Sequence, residues 1–346
     1  MSQDSSIVVH CRGLSKIYDE IEALVDLDLD IPAAHIFGYI GHNGAGKTTT
    51  IRILAGLLKP TRGDANICGV EVGGGDRIKR LVGYMPDSFG VYDQMRVWEY
   101  LDFFGAAFKM PRLKRRDRID YVLDITEAEY MRDRFVDTLS HGMKQRVGIA
   151  RTLMHDPQVL LLDEPANGLD PNARVQMRKL LRKLADGGKT LVVSSHILPE
   201  LAAVCDSVGI IHKGRLKTSG TLQKVLGEIH RDRVMELKAS AAVDAAAKLL
   251  SADSRISHLD ASDQDQGILR FRFQGDDAAM ADLLQRLMSA GAKVVTFREE
   301  PLSLEDAYMA NSGIEQEVDE GAGPDVPGGA PPIPGAPPAG PSQGGA

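Results

Sequence analysis

Cysteine is scarce in this 346-residue chain: only Cys11, Cys68 and Cys205 occur, far apart and in no metal-ligand spacing. That excludes a disulfide scaffold and a thiolate metal cluster and suits a reducing compartment. Long apolar runs are missing as well. No apolar stretch reaches the roughly 18 residues of a spanning helix, and the opening MSQDSSIVVHCRG has neither a basic flank nor an extended apolar segment. No targeting leader is expected, so any membrane link is expected to come through a partner. Nor is there a basic excess. The net charge is −7, and the segment after Ile314 carries Glu315, Glu317, Asp319, Glu320 and Asp325 with no Lys or Arg. The body is therefore nearly balanced, which argues against general nucleic-acid binding.

Proline is concentrated rather than rare. The last 26 residues hold 8 of the 17 prolines, a composition that buries too little apolar surface to offset its ordering entropy, so 313–346 reads as a disordered tail. Ahead of it, 233–298 reads strand, helix, strand, strand, helix, strand, the βαββαβ order of a ferredoxin-like domain assigned to 230–312. A short helix, SLEDAYMA, is expected to close it. No catalytic cluster stands out there, so an accessory role is the default.

The first 220 residues are richer. Short β-branched runs (IVVHCRGL, HIFGYIG, VLLLDEP, TLVVSSH, SVGIIHKG) alternate with longer helical patterns, which predicts a mainly parallel sheet covered by helices. Between Met95 and Asp137 the strands vanish, and MRVWEYLDFFGAAFKM and RRDRIDYVLDI carry apolar positions at helical spacing. A helical subdomain over about 88–155 is expected there.

GHNGAGKTT fits G-x-x-x-x-G-K-[ST] between a predicted strand and a predicted helix. In such a loop Gly41, His42, Asn43, Gly44, Ala45 and Gly46 turn their backbone N–H groups toward phosphate oxygens at the positive end of the helix. Lys47 is expected to bridge the β and γ phosphates of ATP, the Thr48 hydroxyl to ligate Mg²⁺, and Thr49 to complete the loop. VLLLDEP is a buried strand ending in Asp163 and Glu164. We expect it beside the strand carrying the glycine loop, with Asp163 holding Mg²⁺ through water and Glu164 directed at the γ-phosphate.

LSHGMKQR, from Leu139 to Arg146, lies about 90 residues after the glycine loop and shortly before VLLLDEP. With all three motifs in place, the chain resembles the ATP-binding cassette (ABC) ATPases over residues 7 to about 221. It is most similar to export-type subunits that pair with separately encoded permeases, several of which carry a small C-terminal domain. The resemblance implies an α/β P-loop cassette with a mainly parallel sheet, an antiparallel β subdomain and an inserted helical subdomain. It implies that Tyr18 stacks on adenine, that His196 contacts the γ-phosphate, that Asn167, Gly168, Leu169 and Asp170 form a loop acting across a dimer, and that Glu164 is the general base. Two copies, or a pseudo-symmetric heterodimer, are implied to pair head to tail, so that Ser140, Gly142 and Asp170 serve the neighbour's ATP. The expected location is the cytoplasmic face of the membrane, peripheral to a permease.

Two residues depart from the family pattern. Asp87 stands where a Gln is usual; a carboxylate offers only acceptors, so contact with Mg²⁺ survives on paper while donation to water does not. In LSHGMKQR, His141 and Met143 replace the usual Gly and Gln, leaving Ser140 and Gly142. DSFGVYDQMRVW is the expected permease-facing surface, with Phe89, Val91, Tyr92 and Met95 as candidate groove residues. A soluble ABC ATPase working on ribosomes or DNA is the alternative; a single glycine loop and the absence of heptads weigh against it. No N-K-x-D appears, which weighs against a GTPase.

Overall fold

The computed structural model describes residues 6–299, except 74, 89, 91–93, 198–200, 223 and 226–232. The expected tail, the SLEDAYMA helix and the groove candidates Phe89, Val91 and Tyr92 lie outside the described residues.

An antiparallel sheet comes first. Strands β1 (Ile7–Tyr18) and β2 (Ile21–Pro32) form a hairpin. In β2 the run Val-Asp-Leu-Asp-Leu-Asp-Ile alternates strictly, so Asp26, Asp28 and Asp30 are exposed while Leu27, Leu29 and Ile31 enter the core. β4 (Arg62–Ile67) and β5 (Val70–Glu71) complete the order β2-β1-β4-β5.

The central sheet has six strands, with β3 (Ile36–Ile40), β6 (Val82–Met85), β7 (Val159–Leu162), β8 (Thr190–Ser195), β9 (Ser207–His212) and β10 (Arg215–Thr221) in the order β10-β9-β3-β8-β7-β6. All pairs are parallel except β10 with β9. Strands covered on both faces need apolar side chains on both, which is why VLLL and TLVV are continuous apolar runs. One expectation is corrected here. β7, which ends in the two acids, does not lie beside the glycine-loop strand β3; β8 lies between them. Local pattern encodes a strand's burial and not its neighbours, and β8 is as fully buried as β7.

Alternate residues split the sheet's two faces between two cores. Ile36, Ile40, Leu160 and Leu162 join one with helices α3 (Val97–Ala107), α4 (Arg112–Ile125), α5 (His141–Leu153) and α6 (Pro171–Asp186). Phe37, Tyr39, Val159 and Leu161 join the other with α1 (Lys47–Leu54), α2 (Asp76–Leu81) and the antiparallel sheet. The α3–α5 region is helical as expected. Met95 is half-buried and packs against the first core, while Trp98 is exposed.

Past these lie β11 (Arg233–Ala239), α7 (Val243–Ala252), β12 (Ile256–Asp260), β13 (Ile268–Phe273), α8 (Asp277–Ser289) and β14 (Val294–Glu299). The all-antiparallel order β12-β13-β11-β14 is that of a ferredoxin-like sheet. Leu269, Phe271 and Phe273 alternate inward against Leu250, Leu283 and Leu287.

Candidate nucleotide site

The glycine loop leaves the end of β3 and enters α1 without a side-chain cap or an acidic residue in the first turn, so the helix's free N–H groups keep their positive potential. Gly46 is the residue before that helix, at φ +107, and a Cβ there would lie 2.5 Å from the Ala23 carbonyl oxygen. Only glycine fits this close approach to β2. His42, Asn43 and Gly44 are exposed, Gly41, Ala45 and Gly46 are buried, and Thr48 and Thr49 are half-buried.

Lys47 is buried, and its ammonium folds back over the loop. It donates to the carbonyl oxygens of Gly41 (2.6 Å) and His42 (3.2 Å). Nζ also lies 3.3 Å from Glu164 Oε1, off the line of a hydrogen bond, so that oxygen is charge-paired yet has no hydrogen-bond donor.

The acids arrive across β8. Asp163 follows Leu162, and its side chain is almost wholly inside, accepting a 2.6 Å bond from the Ser194 hydroxyl. Burial pushes this carboxyl above its ordinary pKa, while the Ser194 and Thr48 hydroxyls pull the other way and the neighbouring Glu164 and Asp87 charges add to the rise. Glu164 takes a left-handed backbone at φ +50, its N–H donates to Ser194 Oγ at 2.9 Å, and its Oε2 meets His196 Nδ1 at 3.0 Å. Lys47, Thr48, Asp163, Glu164 and His196 thus converge at the glycine loop. Asp87 sits at its margin, exposed, with Asn167 Nδ2 donating to Oδ1 at 3.4 Å. Tyr18, at the hairpin end of β1, is 39 % exposed, with Lys16 Nζ 5.0 Å from its ring centre. Among the described residues no hydrogen bond or ion pair ties Tyr18 to the loop.

Ser140, Gly142 and Asp170 gather elsewhere. Ser140 caps α5, its Oγ accepting from the Met143 N–H at 3.4 Å, and Asp170 caps α6, accepting from the Ala173 N–H at 3.0 Å. Gly142, Gly168 and Leu169 line the groove between them. The His141 departure has a use: its Nε2 donates to the Asn167 carbonyl at 2.9 Å. Gly168 is left-handed at φ +68, and a Cβ there would come within 3.4 Å of the same ring. His141 therefore ties the start of α5 to the loop before α6. Among the described residues no hydrogen bond or ion pair joins Ser140 or Gly142 to Lys47, Thr48 or Glu164 of the same chain.

The oxygen donors suit a hard divalent cation. Among the described residues no group of three or more His, Cys, Asp and Glu forms a metal cage, but Mg²⁺ is commonly held by one or two protein oxygens with substrate phosphates supplying others. A buried Asp163 facing the Thr48 hydroxyl fits that pattern. Ser194 is a participant that motif reading missed, as is the bond that joins His141 to Asn167. A signal for Ser194 existed: a hydroxyl residue ending a buried apolar strand has to find a polar partner inside.

A model of the ABC transporter family matches residues 24–167. An uncharacterized ABC transporter ATP-binding protein of Synechocystis is 34 % identical over 312 residues, covering 87 % of this chain and 84 % of that one. The bacitracin transport ATP-binding protein BcrA of Bacillus licheniformis is 40 % identical over 213 residues, covering 61 % and 69 %. Among solved structures, the dimeric post-hydrolysis state of the ATP-binding cassette MJ0796 bound to ADP and Pi superposes with a TM-score of 0.56 at 27 % identity, covering 62 % of this chain and 98 % of that one.

Proposed function

The chain belongs to the ATP-binding proteins of the ABC transporter family, and from that membership we propose that it binds and hydrolyses ATP to energise a separate membrane permease, in the export direction. The ATPase cassette spans 7–221 and the accessory domain 230–312. Among the described residues no helix is long and apolar enough to cross a membrane; in this reading the chain is a peripheral subunit at the cytoplasmic face, joined to its permease near Asp87–Trp98. The export direction is supported by the likeness to the Nod factor export ATP-binding protein I of Rhizobium meliloti, 31 % identical over 311 residues and covering 90 % of this chain and 89 % of that one.

The observation that carries the reading is the division of the site residues into two clusters. Lys47, Thr48, Asp163, Glu164 and His196 surround the glycine loop, while Ser140, Gly142 and Asp170 stand apart at two helix starts. ATP held in the loop of one copy receives Ser140 and Gly142 from a second copy paired head to tail. A dimeric solved relative supports this pairing. The loop N–H groups and Lys47 hold the phosphates, Tyr18 stacks on adenine, and Ser140 with the α5 N-terminus binds the γ-phosphate from the opposite side. Thr48, Asp163 and Asp87 would hold Mg²⁺, which would supply charge neutralisation at the phosphates. Glu164 takes the proton of the attacking water as the bond from the γ-phosphorus to the bridging oxygen breaks and ADP leaves. His196, bonded to Glu164, orients that carboxylate and contacts the γ-phosphate. ATP-driven closure of the two copies drives the permease, and loss of phosphate removes the bridge between them so that they part.

Two measurements test this. The purified chain is expected to release phosphate from ATP only with Mg²⁺, and tagged chain isolated from membranes is expected to bring an integral permease with it. Recovery of the chain only in soluble, ribosome-bound form would contradict the transport reading.

A further inference from the structure

Ser194 belongs to none of the motifs, yet one oxygen of it touches both acids. Its hydroxyl donates to Asp163 Oδ1 at 2.6 Å and accepts from the Glu164 N–H at 2.9 Å. The side chain is fully buried. Its place is fixed from both sides, because β8 pairs with β3 through Tyr39 and Ser194 and with β7 through Leu162 and Val193. Two residues further on, His196 grips the Glu164 carboxylate. A single strand thus holds Glu164 at its amide and at its carboxylate.

This grip works against a backbone preference. Glu164 is a non-glycine residue at φ +50, a conformation that persists only where its surroundings enforce it. The amide bond to Ser194 is the contact on its N–H side. Without it, only the bond from the Asn167 N–H to the Glu164 carbonyl and the carboxylate's own contacts oppose a return to negative φ, a rotation that would move the carboxylate relative to Lys47 and His196. The strand order makes the bridge necessary: with β8 between β3 and β7, the acids end one strand too far from the glycine loop to be located by direct pairing with β3.

We propose that Ser194 is the positioning residue of the acid pair, setting where Asp163 and Glu164 stand relative to the glycine loop through one hydroxyl that serves both. The inference rests on the proposed roles of Asp163 toward Mg²⁺ and of Glu164 as base. A bound nucleotide does not need Ser194, since the loop and Lys47 lie on β3 and α1. Hydrolysis does, because a displaced base loses its alignment with water.

The test uses the full chain with Ser194→Ala. Turnover is expected to fall by about tenfold or more, the Mg²⁺ concentration for half-maximal hydrolysis to rise, and ATP affinity measured in EDTA to stay within about twofold. Ser194→Thr keeps the hydroxyl, and the cavity bordered by Pro165, Ala166, Val193, Leu201 and Val204 gives its methyl a place; it is expected to restore turnover. In a Glu164→Gln background, Ser194→Ala is expected to cost little further turnover through the base but still to raise the Mg²⁺ requirement through Asp163. The proposal is overturned if Ser194→Ala keeps wild-type turnover and Mg²⁺ dependence, or if it loses ATP affinity in EDTA as steeply as turnover. Should the alanine variant fail to fold, Ser194→Cys decides, its thiol being a weaker donor of similar size: reduced turnover with intact ATP affinity supports the proposal, and wild-type turnover overturns it. Glu164→Gln alone, if it hydrolysed ATP normally, would overturn the underlying role of Glu164 whatever Ser194 does.

Discussion

Glu164→Gln exchanges one carboxylate oxygen for an amide group and leaves size and shape nearly unchanged. In the structure this side chain is only 12 % exposed, with Oε2 at 3.0 Å from His196 Nδ1 and Oε1 at 3.3 Å from Lys47 Nζ. The amide oxygen can still face one of these partners, but the charge opposite Lys47 is gone. Two effects follow with opposite signs. Removing a general base is expected to slow hydrolysis by about 10²–10⁴-fold, or ~3–5 kcal/mol in the barrier. Binding should tighten, because ATP has to draw Lys47 away from its present partners and now meets one fewer negative group. A hydrogen bond or close pair to a charged group is worth about 1.5 kcal/mol net at the low end, so affinity is expected to rise by about tenfold. Phosphate release at saturating MgATP reads the first effect, equilibrium binding of ATP reads the second, and gel filtration with MgATP should show a dimer that persists. Hydrolysis within about threefold of wild type would refute Glu164 as the base. Weaker ATP binding would refute the competition for Lys47.

Gly46→Ala places a Cβ 2.5 Å from the Ala23 oxygen at φ +107; relieving that contact is expected to cost about 2 kcal/mol or more and to weaken ATP binding by at least about tenfold, and unchanged affinity would contradict the close fit of loop and β2. Burial pushes the Cys11 and Cys205 thiols up to about 12, whereas Cys68 is partly exposed and less shifted, so an aromatic disulfide reagent at mild alkaline pH should modify about one thiol per native chain, and Cys68→Ser should abolish it. In the C-terminal domain Asp253 accepts from Arg255 and Arg286, chiefly Arg255, which holds its carboxyl well below the usual range. A depressed carboxylate pKa stabilises the fold above the unfolded value of about 3.9 and loses that contribution as pH falls through the folded value. Because both arginines are partly solvated, Asp253→Asn is expected to cost only about 1–2 kcal/mol at neutral pH, by denaturant unfolding, and less near pH 3; an equal loss at both would contradict the ion-pair account.

Much of the architecture was legible because it repeats. The alternation of Val25 to Ile31 announces a strand with one solvated face, the apolar runs VLLL and TLVV announce strands covered on both, and Leu269, Phe271 and Phe273 mark the inner face of the C-terminal sheet. The glycine loop and the acid pair were legible for a different reason: their chemistry requires those residue types in tight local spacing. Strand neighbours were not legible. Placing β7 beside β3 was wrong because β8 carries the same apolar signature and nothing local ranks the two. Ser194 escaped notice for the same reason, since its partners Asp163 and Glu164 are some thirty residues away in sequence and become adjacent only through that strand order. The role of His141 is not legible either, because the Asn167 carbonyl that it meets at 2.9 Å is 26 residues away in sequence. The left-handed backbone of Glu164 is invisible to composition, because a glutamate gives no sign of φ +50.

The central claim is that each ATP site is shared, with Lys47 from one copy and Ser140 from another. Mixing two inactive chains tests it most directly. Lys47→Ala disables a copy's own loop, and Ser140→Arg disables only what that copy offers its neighbour. In a mixed head-to-tail dimer, one site combines both lesions and the other combines neither. The account predicts that each variant alone is inactive and that an equal mixture recovers roughly a quarter of wild-type phosphate release, since about half the dimers are mixed and each has one intact site. If Lys47 and Ser140 served the same copy's nucleotide, no mixture would contain an intact site, and a mixture as inactive as its components would contradict the account.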